Sequence, residues 1–427
     1  MAKRVVLGLL ALMLVVGAPA PVSAQAAPGP FVKQAFDLLM DRFVVPPTSA
    51  ALLGAAWEGG VAHATSASGS DLAVPAPSFT GNRGADWNAF LAGYPALVAA
   101  ISASADQHAL DRAIVRAMAN SLNSTHTFLA DAPFQPGQRF AGIGVQMSSN
   151  LVFTTVHPGT PAEAAGVRRW DRLVAIGGES VEGMPSDAVS SRLRGPAGST
   201  LQIAVRRAGT PEPIVIQMMR AEIVVPWVQA SVVDGDIGVL RIIQFPPLEA
   251  IGQFDAAVAT LEGADVKALV VDLRDNGGGS YETNQRVANR FIPEGALHQE
   301  LSRNGQTTTV VADGSAWGRR VPVSVLVNAR TGSASELLSS ALRENDVANL
   351  VGMPTRGGVA GGRQFPLADG STLTIAVVAL RSGKGEEIEH VGLEPDLTVD
   401  LDMAALAEGR DTQMEAALAY LKRKLGQ

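Results

Sequence analysis

The run from Val321 to Leu342, VPVSVLVNARTGSASELLSSAL, constrains the fold more than any other stretch of the chain. A valine-rich segment breaks at Thr331-Gly332, and Ser333-Ala334-Ser335-Glu336 and a set of good helix formers follow at once. The pattern predicts a buried strand, a tight turn and a helix. Ser333 falls where strand becomes helix. A hydroxyl there is exposed beside the unpaired backbone N–H groups of a helix N-terminus. Two readings follow. Serine is a favoured N-cap, and Glu336 three residues on completes a capping box. Alternatively, a serine on a sharp turn, with donors aimed at a developing oxyanion, is the arrangement nucleophilic hydrolases need. The stretch by itself does not choose between them.

At 427 residues the chain has room for about two to four domains. The composition, 47% hydrophobic and 18% charged, is that of an ordinary globular protein. The net charge is −7, and no basic tract lies outside the N-terminus and Lys422-Arg423-Lys424, which argues against a nucleic-acid partner. Residues 1–24 read as a secretory signal. Lys3 and Arg4 supply the basic start, Val5 to Val16 the apolar run, and Val22-Ser23-Ala24 the small residues before a cut. The apolar run is shorter than a bilayer span, so no stable membrane span is expected after removal; an uncleaved anchor is the alternative. Export to a periplasm or the cell exterior is the expectation. Losing Lys3 and Arg4 takes the charge from −7 to −9. The chain has no cysteine, so disulfides and a thiolate nucleophile are excluded.

Along the chain, residues 25–131 read as a helical region. Phe31, Ala35, Leu38, Leu39 and Phe43 recur at helical spacing, and Pro46-Pro47 closes that helix. A glycine- and serine-rich stretch from Ala64 to Gly84 reads as a loop, and a second helix runs from about Asp106 to Asn123. Ser124-Thr125-His126 follows directly. Short alternating strands, glycine turns and one helix near Ser186–Leu193 make residues 132–220 a compact β-rich module. In residues 221–427, apolar strands (IGVLRIIQF, ALVVDLR, VSVLVNA, then NLVGM and STLTIAVVAL) alternate with helices. The expected fold class is α/β with the sheet covered on both faces. An amphipathic helix from Asp411 to Leu425, with Met414, Leu418, Leu421 and Leu425 inward, ends the chain.

Three stretches now stand in order: Asp272-Leu273-Arg274-Asp275-Asn276-Gly277-Gly278-Gly279 after a buried strand, the Ser333 turn, and Val391-Gly392-Leu393-Glu394-Pro395-Asp396. With the β-rich module ahead of them, they resemble the carboxyl-terminal processing (tail-specific) protease family. Its members carry a PDZ domain before a crotonase-like (ClpP/crotonase-type) serine protease core. The resemblance covers about Phe31 to Leu425. It implies that Ser333 is the nucleophile, that Ser335 caps the helix, and that the N–H groups of Gly278 and Ala334 form the oxyanion hole. The resemblance has one departure. Most bacterial members use a lysine base, at a position that here is Gly358, with a glutamine at the position of Gly362. A glycine cannot move a proton. The tricorn-like branch uses a histidine oriented by a glutamate instead, and Ser124-Thr125-His126 and Glu389-His390-Val391-Gly392 fall where that branch has them. The resemblance therefore implies His126 as general base and Glu389 as its orienting carboxylate, with Thr125 positioning either. Imidazole suits the task because it titrates near neutral pH and returns the proton to the leaving amine. Lys384 and His390 are the competing bases. His63, His108, His157 and His298 lie outside any motif and are expected at the surface. No metal spacing is present, and no metal or cofactor is expected.

Ala141-Gly142-Ile143-Gly144 resembles the carboxylate-binding loop of PDZ domains, which implies that Gly142, Ile143 and Gly144 bind a peptide C-terminus through their amides. The expected partners are proteins or peptides with free C-termini. Two functions follow from these residues. One is an exported serine endopeptidase that cleaves unfolded or C-terminal segments through a Ser–His–Glu acyl-enzyme mechanism. The other is a non-catalytic PDZ-containing binding protein on the same fold.

Overall fold

The computed structural model describes residues 26–427 except 70–73, 102–105, 131–139, 149, 158, 185, 224–225, 318–319 and 408–409. The expected signal, residues 1–24, lies outside the described residues, as does the start of the β-rich region at 132–139. No described helix is long and apolar enough to cross a membrane.

The N-terminal region opens with α1 (Pro30–Arg42), α2 (Ser49–Ser68), α3 (Arg83–Ala100) and α4 (Gln107–Asn120). α1 and α4 stand where the periodicity puts them. α2 and α3 fall inside the region read as helical, although the sequence pattern picks out neither one separately; of the loop read from Ala64 to Gly84, α2 takes the residues up to Ser68 and α3 those from Arg83. The α2 sequence, SAALLGAAWEGGVAHATSAS, is small or apolar nearly all round, so no single stripe marks it as helical. Gly59 and Gly60 mark close packing. A Cβ at Gly59 would lie 2.2 Å from the Ala117 Cβ of α4, and one at Gly60 would lie 2.8 Å from Leu97 of α3.

Residues 140–223 form the β-rich module. Its elements are β2 (Phe140–Gly142), β3 (Val145–Met147), β4 (Phe153–Val156), α5 (Pro161–Ala164), β5 (Arg172–Ile176), β6 (Glu179–Ser180), α6 (Ser186–Leu193), β7 (Thr200–Arg206), β8 (Ile214–Met219) and β9 (Ala221–Ile223), preceded by β1 (Phe128–Ala130). An antiparallel sheet in the order β6-β5-β7-β8 packs Leu173, Ile203 and Val205 against Phe153 and Val189. β9 returns to pair with β2, so the module closes where it opens.

The remaining elements are β10 (Val228–Val233), β11 (Ile237–Ile242), α7 (Gly252–Gly263), β12 (Ala268–Asp272), α8 (Tyr281–Phe291), β13 (Ala296–Ser302), β14 (Thr307–Val311), β15 (Val323–Val327), α9 (Ala334–Glu344), β16 (Ala348–Gly352), β17 (Ala360–Pro366), β18 (Thr372–Ser382), β19 (Leu397–Thr398), α10 (Met403–Ala407) and α11 (Thr412–Leu425). One sheet runs β10-β11-β12-β15-β16-β19, parallel from β11 onward. Alternate residues face opposite ways. Leu240, Ile242, Leu269, Val271, Val325 and Val327 meet α7, α8 and α9. Ile237, Val239, Ala268, Val270 and Leu326 meet Ala417 and Leu421 of α11. With both faces covered, the strands need no polar alternation. Met414, Leu418 and Leu425 of α11, expected inward, flank that contact half-buried.

A second sheet, in the order β1-β18-β13-β14 with β17 also paired to β18, stands beside the first. β13, β14 and β17 are polar or glycine-rich and are not marked by the sequence pattern. Pairing with the long strand β18 holds β13 and β17, and β13 in turn holds β14. The helical region shares a core with this sheet, running from Phe36, Leu53 and Ile114 into Leu129, Leu373 and Ile375. The segment between α4 and β1, which carries His126, is thereby fixed beside the α/β layer.

Two histidines expected at the surface are buried instead, His157 and His298, each 2% exposed. Burial pushes His157 down to about 4, with Arg241 beside it. His298 packs edge-on against Tyr281 and contacts its hydroxyl.

Candidate active site

The turn after β15 is pinned from below. Thr331 Oγ1 donates to Leu273 O at 2.9 Å, and Gly332 N–H to Asn276 O at 3.0 Å, so the turn is tied to the DNGGG loop. Ser333 follows with φ 56° and ψ −123°, a backbone conformation that a residue with a Cβ adopts only when its surroundings impose it. Glu336 supplies much of that restraint. It is fully buried, and one carboxylate oxygen accepts from Ser333 N–H (2.9 Å) and Gly358 N–H (3.0 Å). The other accepts from Thr355 Oγ1 (2.5 Å) and Gly357 N–H (2.7 Å). A buried carboxylate with four donors is satisfied, and it locks the Thr355–Gly358 turn to the start of α9. The implied cap role of Ser335 is corrected. Its hydroxyl is buried with no hydrogen-bond partner among the described residues. The Ser333 hydroxyl faces His126, with Nε2 to Oγ at 3.2 Å.

Behind the imidazole, Nδ1 lies 2.9 Å from Thr125 Oγ1, and that hydroxyl lies 2.9 and 3.1 Å from the two oxygens of Glu389. Glu389 also accepts from Thr125 N–H (2.9 Å) and Val359 N–H (2.5 Å). The Thr125 hydroxyl, implied to position either the imidazole or Glu389, stands between the two. A hydroxyl carries one proton. With that proton given to the carboxylate, the oxygen must accept from Nδ1–H, which leaves the Nε2 lone pair toward Ser333. Burial pushes the His126 pKa down, the Glu389 charge opposes this, and Arg356 adds to it; the net shift is below the ordinary histidine value. The competing bases lie elsewhere. Lys384 is exposed, and the exposed His390 has its Nε2 2.8 Å from Asn123 O. A Cβ at Gly358 would lie 2.8 Å from Arg356 Nε, and one at Gly362 would lie 3.6 Å from His126 Cβ.

Of the two implied oxyanion donors, Ala334 N–H has no hydrogen-bond partner among the described residues. Gly278 N–H has one. It donates to Asn276 Oδ1 at 2.9 Å, while Asn276 Nδ2 donates to Ile242 O at 2.8 Å. Gly278 still abuts the serine: a Cβ there would lie 3.0 Å from Ser333 Oγ and 3.1 Å from Ala334 N, at a φ of 110°, so only glycine fits. Ser333 and His126 open on a cleft of about 970 Å³ whose apolar wall includes Phe128, Leu337 and Leu380.

In the β-rich module Gly142, Ile143 and Gly144 are buried. The Ile143 and Gly144 amides have no partner among the described residues. Gly144 takes φ 82°, and Thr160 fills the place of a Cβ at 2.3 Å. The module reaches the core through Arg169, whose guanidinium donates to Asp275 at 2.6 Å. Asp275 also accepts from Asn328 and Arg330.

Sequence reasoning missed what Asn276 and Arg356 do. Asn276 sat inside a recognised motif, but which amide its side chain meets is not written in the motif. Arg356 carried no signal beyond its place in the glycine turn.

Comparison with known proteins gives the following. Residues 236–399 match the family described as Peptidase family S41, and residues 152–207 match the PDZ domain. The chain is 31% identical over 293 residues to a carboxyl-terminal-processing protease of Synechocystis sp., covering 66% of this chain and 68% of that one. It is 31% identical over 270 residues to the carboxy-terminal processing protease CtpA of Bacillus subtilis, covering 61% of this chain and 56% of that one. Its fold is similar to that of the photosystem II D1 C-terminal processing protease, with TM-score 0.55 and 22% identity over 92% of this chain and 96% of that one.

Proposed function

This chain belongs to the carboxyl-terminal-processing serine peptidases of family S41, and on that premise we propose that it is an exported endopeptidase working through Ser333, His126, Thr125 and Glu389. The observation that carries the reading is the unbroken line of contacts from Ser333 Oγ to His126 Nε2 (3.2 Å), from Nδ1 to Thr125 Oγ1 (2.9 Å), and on to Glu389 (2.9 Å). A serine hydroxyl attacks an amide only when a base takes its proton. His126 takes it at Nε2, Oγ bonds to the scissile carbonyl carbon, and the imidazolium then protonates the leaving amine. Water repeats the sequence and frees the acid. Glu389 stabilises the imidazolium through the Thr125 hydroxyl. Ala334 N–H is the ready oxyanion donor; Gly278 N–H joins it only by leaving Asn276 Oδ1.

Peptide substrates fit a peptidase that carries a PDZ domain. We further propose that the Gly142–Gly144 loop takes the substrate's free C-terminus through its unpartnered amides. The division into regions 25–131, 132–220 and 221–427, and the crotonase-like class of the core, belong to the same reading. They are supported by the β2–β9 closure and by the α/β layer that follows it. Export rests on residues 1–24.

The test is labelling of the protein by a fluorophosphonate. Labelling that needs both Ser333 and His126, lost in Ser333→Ala and His126→Ala, is the expected result. Labelling that survives His126→Ala would overturn the base assignment.

A further inference from the structure

Arg356 is the one residue of the Glu336-locked turn whose side chain is not tied down. Its backbone is: Arg356 N–H donates to Thr331 O at 2.9 Å, and its neighbours Thr355 and Gly357 are bonded to Glu336. The side chain is exposed and lies across two glycines. A Cβ at Gly332 would come 3.2 Å from its Nε, and one at Gly358 2.8 Å from both Nε and Nη2. Any larger residue at either position would displace the guanidinium. It lines the same cleft as Ser333 and His126. Among the described residues its guanidinium has no hydrogen bond or ion pair, whereas Arg169, Arg274 and Arg330 are each paired with an aspartate.

We propose that Arg356 is the subsite for a carboxylate of the bound peptide close to the scissile bond. A planar guanidinium with free donors matches a carboxylate in shape and charge. The charge also has a consequence for the reaction. His126 must become an imidazolium during acylation, and an uncompensated guanidinium beside it opposes that step; Arg356 is one of the groups that hold the His126 pKa down. A substrate carboxylate on Arg356 cancels that opposition, so the substrate that fills the subsite also makes its own base stronger. The carboxylate has two possible sources, the α-carboxylate of a chain cut a few residues from its end, or an Asp or Glu side chain.

The inference rests on Ser333 as nucleophile, and the experiment separates the two. Using the full chain, kcat/KM is measured for two pairs of short peptides: one pair identical except for a free-acid or amidated C-terminus, the other amidated and differing by Glu or Gln near the cut. The expected result is a preference of about 10- to 100-fold for the carboxylate-bearing member of at least one pair, the size of a lost charge-assisted hydrogen bond. The pair that shows it identifies the source. In Arg356→Gln the two members converge, and in Arg356→Lys part of the preference returns. The acid limb of the wild-type kcat profile, which reports the base in the enzyme–peptide complex, lies higher for the preferred peptide than for its neutral twin, and this gap closes in Arg356→Gln. Circular dichroism verifies that the variants fold. Hydrolysis without any preference, or a preference that survives Arg356→Gln, as it would if it arose at the PDZ loop, overturns the subsite. Failure of wild type to cleave any of the peptides overturns the Ser333 reading and the subsite with it.

Discussion

At the scale of single residues, the site is a set of backbone and side-chain restraints converging on one hydroxyl. Thr125 sits between base and carboxylate, so Thr125→Val removes both the acceptor for Nδ1–H and a donor to Glu389. We expect a fall of about 10- to 100-fold in kcat, smaller than that of His126→Ala, because the ring keeps its place but loses its preferred tautomer. Steady-state kinetics on one peptide check the order. The pH profile carries a sign as well. In the proposed mechanism His126 works as the neutral base, and its pKa is held below the ordinary value of about 6.5. Activity on a neutral peptide therefore persists as pH drops through that value, and fails only below it. An acid limb at or above it would contradict the burial argument. Gly358→Lys in a His126→Ala background is expected to push the untied Arg356 side chain aside, since a Cβ there would lie 2.8 Å from its Nε, and to restore little, because a lysine open to the cleft keeps its proton. Recovered labelling by a fluorophosphonate would show that the lysine can reach Ser333.

At the scale of elements, legibility followed the environment of each segment. α1 and α4 each bury one stripe, and the chain writes that stripe at helical spacing. α2 contacts α3 and α4 on different sides, so no single apolar stripe marks it, and it carries Gly59 and Gly60 in its interior. Their function is packing. Gly59→Val in α2 would force the helix off Ala117, at a cost of about 1–3 kcal/mol. Denaturant unfolding of the variant measures it, and an unchanged midpoint would mean that α2 and α4 do not need that approach. The strands divide in the same way. β12 and β15 are buried along their whole length and read plainly as apolar runs. β14 and β17 expose most of their residues, and it is pairing within the second sheet that makes them strands.

At the scale of the molecule, the DLRDNGGG motif ties three parts of the chain together. Asp272, 3% exposed, is paired with Arg274, which reaches Asp411 at the start of α11 at 2.8 Å. Burial alone would raise the Asp272 pKa, but the Arg274 charge and hydrogen bonds hold it well below the usual carboxylate range. The stability this provides is present above the unfolded carboxylate pKa and is lost only as pH falls through the depressed folded value. Arg274→Met strands the aspartate, and we expect it to cost about 3–5 kcal/mol at neutral pH. The sign of the pH dependence reverses in that variant. A buried, unpaired Asp272 favours its protonated form, so the loss shrinks as pH falls toward 4. Unfolding at two pH values tests both statements, and an equal loss at both would contradict them. Asp275, three residues along from Asp272, accepts from Arg169 of the PDZ module.

The sequence by itself determined the order of regions, the buried strands, the turn that presents Ser333 and the absence of a lysine at Gly358. Each of these is a local matter of periodicity, turn chemistry or residue identity. The tertiary structure decided everything that depends on distance between remote residues. It brought His126 to 3.2 Å from Ser333 across 207 positions of chain, by docking four helices onto the second sheet. It put a hydroxyl between Glu389 and the ring. It set Asn276 on the Gly278 amide and left the Arg356 guanidinium facing the cleft. Hydrogen bonds and ion pairs act over a few ångströms, and a linear chain does not state which of its residues will come that close.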